Sequence, residues 1–359
     1  MRSKRMRIGT LRKKRWLRSI LSGLLVASML LLTGCSGKPE NIVVEEKETG
    51  IQIGISFDSF VIERWQRERD VFVSACQELG AEVNVQNANG DIKEQVEQID
   101  YFIKKGMDAI LVIQVADEAE NLSSAISRAK KAGIPVICYD RMVLNADADL
   151  YISFDNEQVG RLMGEHMVEH MSQGDTMIQI CGPLSDNNVS LVMKGFREAL
   201  KDSGILIAQT DYAEGWVAEL AVNVTNDYLE TGQPLMGIMC GNDNLASYAA
   251  QALSERRMLG KVCLVGQDAD LEACQRIVEG TQCMTVYKPV EKLAKRAAEL
   301  TVKLAKGEKL DEVDHVMNNG TYDVPYEALE PIAVTKDNMD EIITGNYHEA
   351  SDIYLNIQN

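Results

Sequence analysis

The chain has 359 residues, with 54 Asp and Glu against 37 Lys and Arg and a formal net charge of −17. That length exceeds what one hydrophobic core usually holds, so two domains are expected. The acidic balance repels phosphate backbones and argues against a nucleic-acid partner.

The charge is unevenly spread. Arg2, Lys4, Arg5, Arg7, Arg12, Lys13, Lys14, Arg15 and Arg18 form a basic start without an acid, followed by an apolar run from Ile20 to Leu32. That run falls short of the roughly 20 apolar residues a membrane span needs, and it fits the core of a secretion signal. Leu32-Thr33-Gly34-Cys35 then resembles a lipobox, in which small residues admit the signal peptidase and the cysteine becomes the lipidated N-terminus. Residues 1–34 are read as a lipoprotein signal peptide, Cys35 as the lipidation site and residues 35–50 as a polar tether. The expected location is extracytoplasmic, on the outer face of the cytoplasmic membrane and held there by lipid. With the nine basic residues of the signal set aside, the net charge moves from −17 to −26. Cysteines follow at 76, 138, 181, 240, 263, 274 and 283, an odd number with no C-x-x-C pair. They read as small core residues and not as a disulfide framework.

From Ile51 onward, short Val- and Ile-rich runs alternate with amphipathic patterns. Strands are predicted at 51–57, 82–87, 109–115, 135–139, 150–154, 176–181, 205–210, 235–240, 262–267 and 283–287. Helices are predicted at 60–79, 91–105, 117–132, 156–172, 188–202, 215–230, 243–258, 270–279 and 290–306. Nearly continuous apolar strands between helices imply a parallel sheet covered on both faces. The alternation breaks at Ala146-Asp147-Ala148-Asp149, which reaches a new strand without a helix and is the predicted domain boundary. Two further short strands are expected near His315–Met317 and Pro331–Val334, as crossings back between lobes. The predicted division is 51–149 plus 289–320 for an N-terminal lobe, 150–288 plus 321–345 for a C-terminal lobe, and a tail at 346–359.

Several chemistries are not supported. Gly54-Ile55-Ser56-Phe57-Asp58 follows the first strand where a dinucleotide fold would carry G-x-G-x-x-G, and neither a phosphate-binding G-x-x-x-x-G-K-[ST] loop nor a G-x-S-x-G elbow is present. His166-Met167-Val168-Glu169-His170 has inverted-zincin spacing. Its histidines fall at the edge of an apolar stripe through Val159, Leu162, Met163 and Met167, and a catalytic zinc needs a third ligand. Asp147-Ala148-Asp149 and Asp268-Ala269-Asp270 lack the six to eight oxygens that calcium takes. No metal, cofactor or catalytic residue is therefore predicted, and the chain is not expected to be an enzyme.

The informative residues stand where strands end. Tyr139 runs into Asp140-Arg141, Cys240 into Gly241-Asn242-Asp243, and Val265 into Gly266-Gln267-Asp268. In open parallel sheets ligands bind beyond the carboxyl ends of the strands, and such groups suit a ligand rich in hydroxyls. The competing readings are helix capping by Asp243 and Asp268, and a structural ion pair at Asp140-Arg141. Trp65 and Trp216 each open a predicted helix in a different half of the chain. Their polar neighbours argue against deep burial and for two indoles sandwiching a sugar ring.

Five segments carry a resemblance: Ile62-Glu63-Arg64-Trp65-Gln66-Arg67-Glu68-Arg69-Asp70, Tyr139-Asp140-Arg141-Met142, Tyr151-Ile152-Ser153-Phe154-Asp155-Asn156-Glu157, Gly266-Gln267-Asp268-Ala269-Asp270 and Thr285-Val286-Tyr287-Lys288-Pro289. In order and spacing over about 50–345 they resemble the bacterial D-xylose-binding proteins of sugar ABC transporters. The resemblance implies a type I periplasmic binding protein fold, with two doubly wound parallel-sheet α/β lobes joined by a hinge. It also implies a ligand set. Arg64, Trp65, Asp140 and Arg141 come from one lobe, and Asn188, Trp216, Asn242 and Asp268 from the other, with Lys288 at a hinge crossing. Asp58-Ser59-Phe60-Val61-Ile62, Cys181-Gly182-Pro183 and Cys240-Gly241 depart from the family's usual residues. The implied protein is a monomer that captures a monosaccharide, D-xylose or a related aldose, and delivers it to an ABC transporter permease. The alternative is a sensory subunit that presents the sugar to a membrane histidine kinase or chemoreceptor. A DNA-binding repressor of the same fold is excluded because the secretion signal stands where its helix-turn-helix would be.

Overall fold

The computed structural model describes residues 50–61, 64–115 and 120–357. The signal peptide, Cys35 and nearly all of the tether lie outside the described residues. Elements follow in the order β1 (Ile51–Phe57), α1 (Arg64–Glu78), β2 (Ala81–Asn87), α2 (Ile92–Lys105), β3 (Ala109–Val112), α3 (Glu120–Lys131), β4 (Val136–Tyr139) and β5 (Leu150–Phe154). Next come α4 (Asn156–His170), β6 (Thr176–Cys181), α5 (Asn187–Leu200), β7 (Leu206–Tyr212), α6 (Leu220–Glu230), β8 (Gly237–Cys240), α7 (Asp243–Glu255), β9 (Cys263–Gln267), α8 (Leu271–Glu279) and β10 (Met284–Tyr287). The chain ends with α9 (Val290–Ala305), β11 (His315–Asn318), β12 (Asp323–Leu329), β13 (Ile332–Val334), α10 (Met339–Ile342) and α11 (Ala350–Ile353).

These strands build two sheets, one per lobe. The first has seven strands in the order β11-β12-β5-β4-β3-β1-β2, and the second has six in the order β13-β10-β9-β8-β6-β7. All pairings are parallel except β11 with β12 and β13 with β10. Helices cover both faces of each sheet, which is why the central strands β3, β4, β5, β8, β9 and β10 are buried along their whole length. Among the described residues no helix is long and apolar enough to cross a membrane.

Sheet membership corrects the predicted division. The strand at 150–154 was expected to open the second lobe, yet β5 pairs with β4 in the first sheet. The helix-free link at 140–149 is a loop that lays β5 beside β4, and the chain leaves the first sheet only after Phe154. Residues 323–329, also expected in the second lobe, form β12 and pair with β5. Between the sheets the chain passes three times: after Phe154, at Lys288-Pro289, and between Leu329 and Ile332. The first and third passages touch, since Asp155 N–H donates to Leu329 O at 3.0 Å. The expected tail is not free over 346–357, because Tyr347 and Ile353 are buried against the core that holds α1, α8 and α9.

Close helix packing sets the start of α5. A Cβ on Gly160 would fall 1.9 Å from Val192 O, and one on Gly195 would fall 1.9 Å from Glu157 O. Only hydrogen at these two positions lets α4 and α5 meet backbone to backbone. The same contact presents the N-terminus of α5, with Asn188 in its first turn, toward the first lobe.

Candidate functional site

Beyond β4 the chain turns sharply. Asp140 adopts φ 60°, a left-handed conformation that strains a residue with a Cβ. Four hydrogen bonds hold that backbone. Its N–H donates to Ile152 O at 2.8 Å. Its carbonyl accepts from Ser153 Oγ at 2.8 Å, Asn188 Nδ2 at 2.9 Å and Tyr151 Oη at 3.0 Å. Asn188 belongs to the second lobe, so one strained peptide is a joint between lobes. The Asp140 carboxylate is left to accept from Arg64 Nη2 at 2.8 Å.

Arg64, the first residue of α1, donates from Nη1 to Glu68 one turn later at 2.5 Å. Its guanidinium lies 4.0 Å over the Trp65 ring. Trp65 is fully buried, against the expectation from its polar neighbours. The indole faces the pocket between the lobes, with Phe57 packed against it edge to face. Arg141 donates from Nη1 to Asp58 Oδ2 at 2.6 Å and to Gln114 O at 2.9 Å, while its Nε reaches across the lobes to Asp186 Oδ2 at 2.8 Å. Asp140-Arg141 is therefore not a mutual structural pair, since each side chain takes its close partners elsewhere.

On the second lobe, Asp186 caps α5 by accepting from Asn188 N–H at 3.0 Å and also accepts from Trp216 Nε1 at 3.2 Å. The helix expected at 215–230 begins later, at Leu220. Gly215 and Trp216 both have φ 59°, and Glu214–Trp216 forms a short 3-10 turn. Trp216 is half-buried, and its ring lies directly on Gly182, where a Cβ would come within 2.3 Å of the indole. Neither suspected aspartate, Asp243 after β8 or Asp268 after β9, caps a helix. Asn242 caps α7 through Oδ1, accepting from Leu245 N–H at 2.9 Å. Asp243 is instead buried and accepts from Thr285 Oγ1 at 2.6 Å and Gln282 Nε2 at 2.9 Å. Asp268 has φ 97° and lies 3.0 Å from Lys288 Nζ and 3.6 Å from Arg64 Nε.

All nine residues singled out from the sequence line one pocket: Arg64, Trp65, Asp140, Arg141, Asn188, Trp216, Asn242, Asp268 and Lys288. The walls are completed by residues that sequence reasoning left without a role: Asp186, Gln267 and Gly182, and the apolar Val189, Val192, Met193 and Met239. Asp186 carried a signal, since it stands two residues before Asn188 in Asp186-Asn187-Asn188 at a helix start. Glu68 carried one as well, in its i,i+4 spacing from Arg64. Gln267 Oε1, Trp65 Nε1 and Arg64 Nε are buried without a hydrogen-bond partner. Leaving such atoms unsatisfied costs about 1–3 kcal/mol each, so the cavity favours an occupant that donates and accepts.

The charges are out of balance. Arg64, Arg141 and Lys288 face Asp58, Glu68, Asp140, Asp186 and Asp268 within ion-pair reach. Burial by itself pushes Asp140 up, but Arg64, Lys288 and Arg141 together pull its carboxyl below the usual range. Asp186 ends above its usual range because burial outweighs Arg141. Burial likewise raises Glu68 to about 7 despite Arg64, with Asp140 adding repulsion. Arg64 goes the other way: burial disfavours its charge, and Asp140, Glu68 and Asp268 more than restore it.

Residues 53–309 match the family model described as a periplasmic binding protein domain. The chain belongs to the periplasmic binding protein family. It is 42% identical over 310 residues to the D-xylose-binding periplasmic protein of Haemophilus influenzae, covering 85% of this chain and 92% of that protein. It is 40% identical over 331 residues to the D-xylose-binding periplasmic protein of Escherichia coli, covering 90% and 98%. Among solved structures, a carbohydrate transporter solute-binding protein from Chloroflexus aurantiacus in complex with D-glucose superposes with a TM-score of 0.76. Its identity is 25%, over 84% of this chain and 98% of that one. An ABC transporter solute-binding protein from Clostridium phytofermentans with bound β-D-glucose has the same TM-score at 24% identity, over 84% and 99%, and supports the fold. As a periplasmic binding protein the chain works outside the cytoplasm, and its two-lobed architecture accounts for half-sites that meet only when the lobes close.

Proposed function

We propose that this periplasmic binding protein captures D-xylose between its closing lobes, without turning it over, and delivers it to an ABC transporter. The observation that carries the reading is the pocket between the lobes. Ion-paired carboxylates, cations, amides and two indoles from both lobes line one pocket and leave buried polar atoms unpaired. The D-xylose-binding names of the relatives from two organisms support the choice of sugar. A ligand that touches both lobes favours the closed state by its differential affinity. Arg64, Asp140, Asn188, Asn242, Asp268 and Lys288 address the hydroxyls, and Trp65 and Trp216 address the apolar ring faces.

A thermal-shift screen of the chain from residue 36 onward, across aldopentoses and aldohexoses, tests this reading. D-xylose is expected to give the largest stabilisation, about 2.7 kcal/mol when present at a hundredfold over its Kd. No response to any pentose or hexose would remove the sugar reading, and recovery of altered sugar would remove the binding-only reading. Trp216→Ala should raise the Kd for D-xylose about fivefold or more, since aromatic contacts are worth roughly 1 kcal/mol beyond area. Isothermal titration checks this, and an unchanged Kd would make Trp216 a packing residue only.

The reading extends to attachment. Leu32-Thr33-Gly34-Cys35 supports a lipid anchor at the outer face of the membrane. The full chain expressed in a bacterial host should fractionate with membranes and carry acyl mass on Cys35. Cys35→Ser should shift the mature protein toward the soluble fraction, and membrane retention without acyl mass would point to a plain signal anchor.

A further inference from the structure

A second cluster lies in the second lobe, and none of its members lines the sugar cavity. His166 on α4, Cys263 at the start of β9 and Cys283 just before β10 bring one imidazole nitrogen and two thiol sulfurs within 4.8 Å of one another. Cys283 N–H donates to Leu264 O at 2.9 Å, which fixes the two thiol-bearing segments side by side. Both thiols are free, and His166 Nε2 is buried without a hydrogen-bond partner. Read from the sequence, His166 lacked further ligands and the cysteines were core residues. The fold supplies the former from the latter.

We propose that His166, Cys263 and Cys283 form a site for a thiophilic cation of the zinc class, with a fourth position open to solvent. Zinc takes two sulfurs and a nitrogen at about 2.3 and 2.0 Å, which places tetrahedral ligand atoms about 3.5–3.8 Å apart. The three atoms, all within 4.8 Å of one another, exceed that spacing by at most about 1.3 Å. Two adjacent thiols alone would suggest a disulfide, but a disulfide leaves the unpartnered imidazole nitrogen unexplained. Glu169 and His170 also approach His166. Both are exposed, and His170 Nδ1 lies 2.8 Å from His166 O, so the thiol side is the better donor set for a soft ion. Cys283 and His166 are half-buried, which leaves the ion a path from solvent. Once bound, it ties α4 to β9 and β10 and stiffens the lobe that carries Asn242 and Asp268.

The test uses the chain from residue 36 onward, reduced with a phosphine and freed of metal, with Co²⁺ as the spectroscopic probe. One equivalent of Co²⁺ is expected to produce thiolate-to-cobalt charge-transfer absorption that Zn²⁺ abolishes by displacement, and Zn²⁺ should raise the melting temperature. Cys283→Ser and His166→Gln should each weaken Co²⁺ binding at least tenfold, while Glu169→Gln leaves it unchanged. Circular dichroism of each variant shows that the fold persists. If Cys283→Ser misfolds, the half-buried His166→Gln variant carries the test. Absence of the charge-transfer band, or its survival in the folded variants, overturns the proposal. So does conversion of Cys263 and Cys283 to a disulfide in air at the same rate with and without Zn²⁺.

Discussion

Asp140→Ala is expected to weaken D-xylose binding by about tenfold to a hundredfold. A hydrogen bond to a charged group is worth about 1.5–3 kcal/mol, and each 1.4 kcal/mol is about tenfold in Kd. Arg64 would keep Glu68 and Asp268 and lose the carboxylate 2.8 Å from its Nη2. The contacts that hold the turn use the Asp140 backbone and not its side chain, so the two lobes should still fold. Asp140→Gly separates the two effects. Glycine takes φ 60° without strain, so this variant should regain stability relative to Asp140→Ala while binding stays lost. Titration calorimetry with chemical denaturation of both variants gives the answer. A native Kd in Asp140→Ala would show that the carboxylate is structural.

Much of this site was legible because strand ends are local. Buried strands announce themselves as apolar runs, and the polar residues that follow, Asp140, Arg141, Asn242 and Asp268, needed only the rule that such ends converge. The lobe boundary was misread for a physical reason. In a parallel sheet a helix normally carries the crossover, so the helix-free link before β5 looked like a change of lobe. β12 was hidden because Asp323, Pro325 and Glu327 interrupt its apolar pattern, and Pro325 marks a strand near a sheet edge. Trp65 looked exposed because its neighbours are charged. Arg64 is buried with it, its charge answered by Glu68 one turn on and by Asp140 and Asp268, distant in sequence.

The role of Asp186 exists only where the two lobes meet, and that of Glu68 needs β4 laid beside α1. Arg141 meets Asp186 across the lobes, and Glu68 meets both Arg64 and the hydroxyl of Tyr139. Periodicity cannot report an ion pair that two separate sheets create. The two half-sites also differ in what holds them ready. In the first lobe, ion pairs pin Arg64 and Arg141. In the second, capping pins Asn188 and Asn242 at helix N-termini, with Asp243 clamped beneath by Thr285 and Gln282.

That charge imbalance predicts a dependence of stability on pH. With three cations against five acids, one carboxyl is best left protonated, and Glu68 is the most favoured, its value raised by burial from 4.5 to about 7. Between those values the folded protein binds a proton that the unfolded chain has released, so stability falls as pH rises from about 4.5 to 7 and then levels. Asp243, raised by burial to about 7, and Asp186, raised in the same direction, add to the same slope. Asp140 acts oppositely but below this window, because its lowered value removes stability only in stronger acid. The Glu68 contribution is on the order of 3 kcal/mol, from about 1.4 kcal/mol per unit. Glu68→Gln keeps the shape and removes the titration. Its unfolding free energy, measured by denaturant at pH 5, 6, 7 and 8, should lose one proton's worth of slope and exceed the native value at pH 8. If native protein and variant run parallel across that range, Glu68 is ionised throughout, and the buried cluster carries its excess negative charge without a proton.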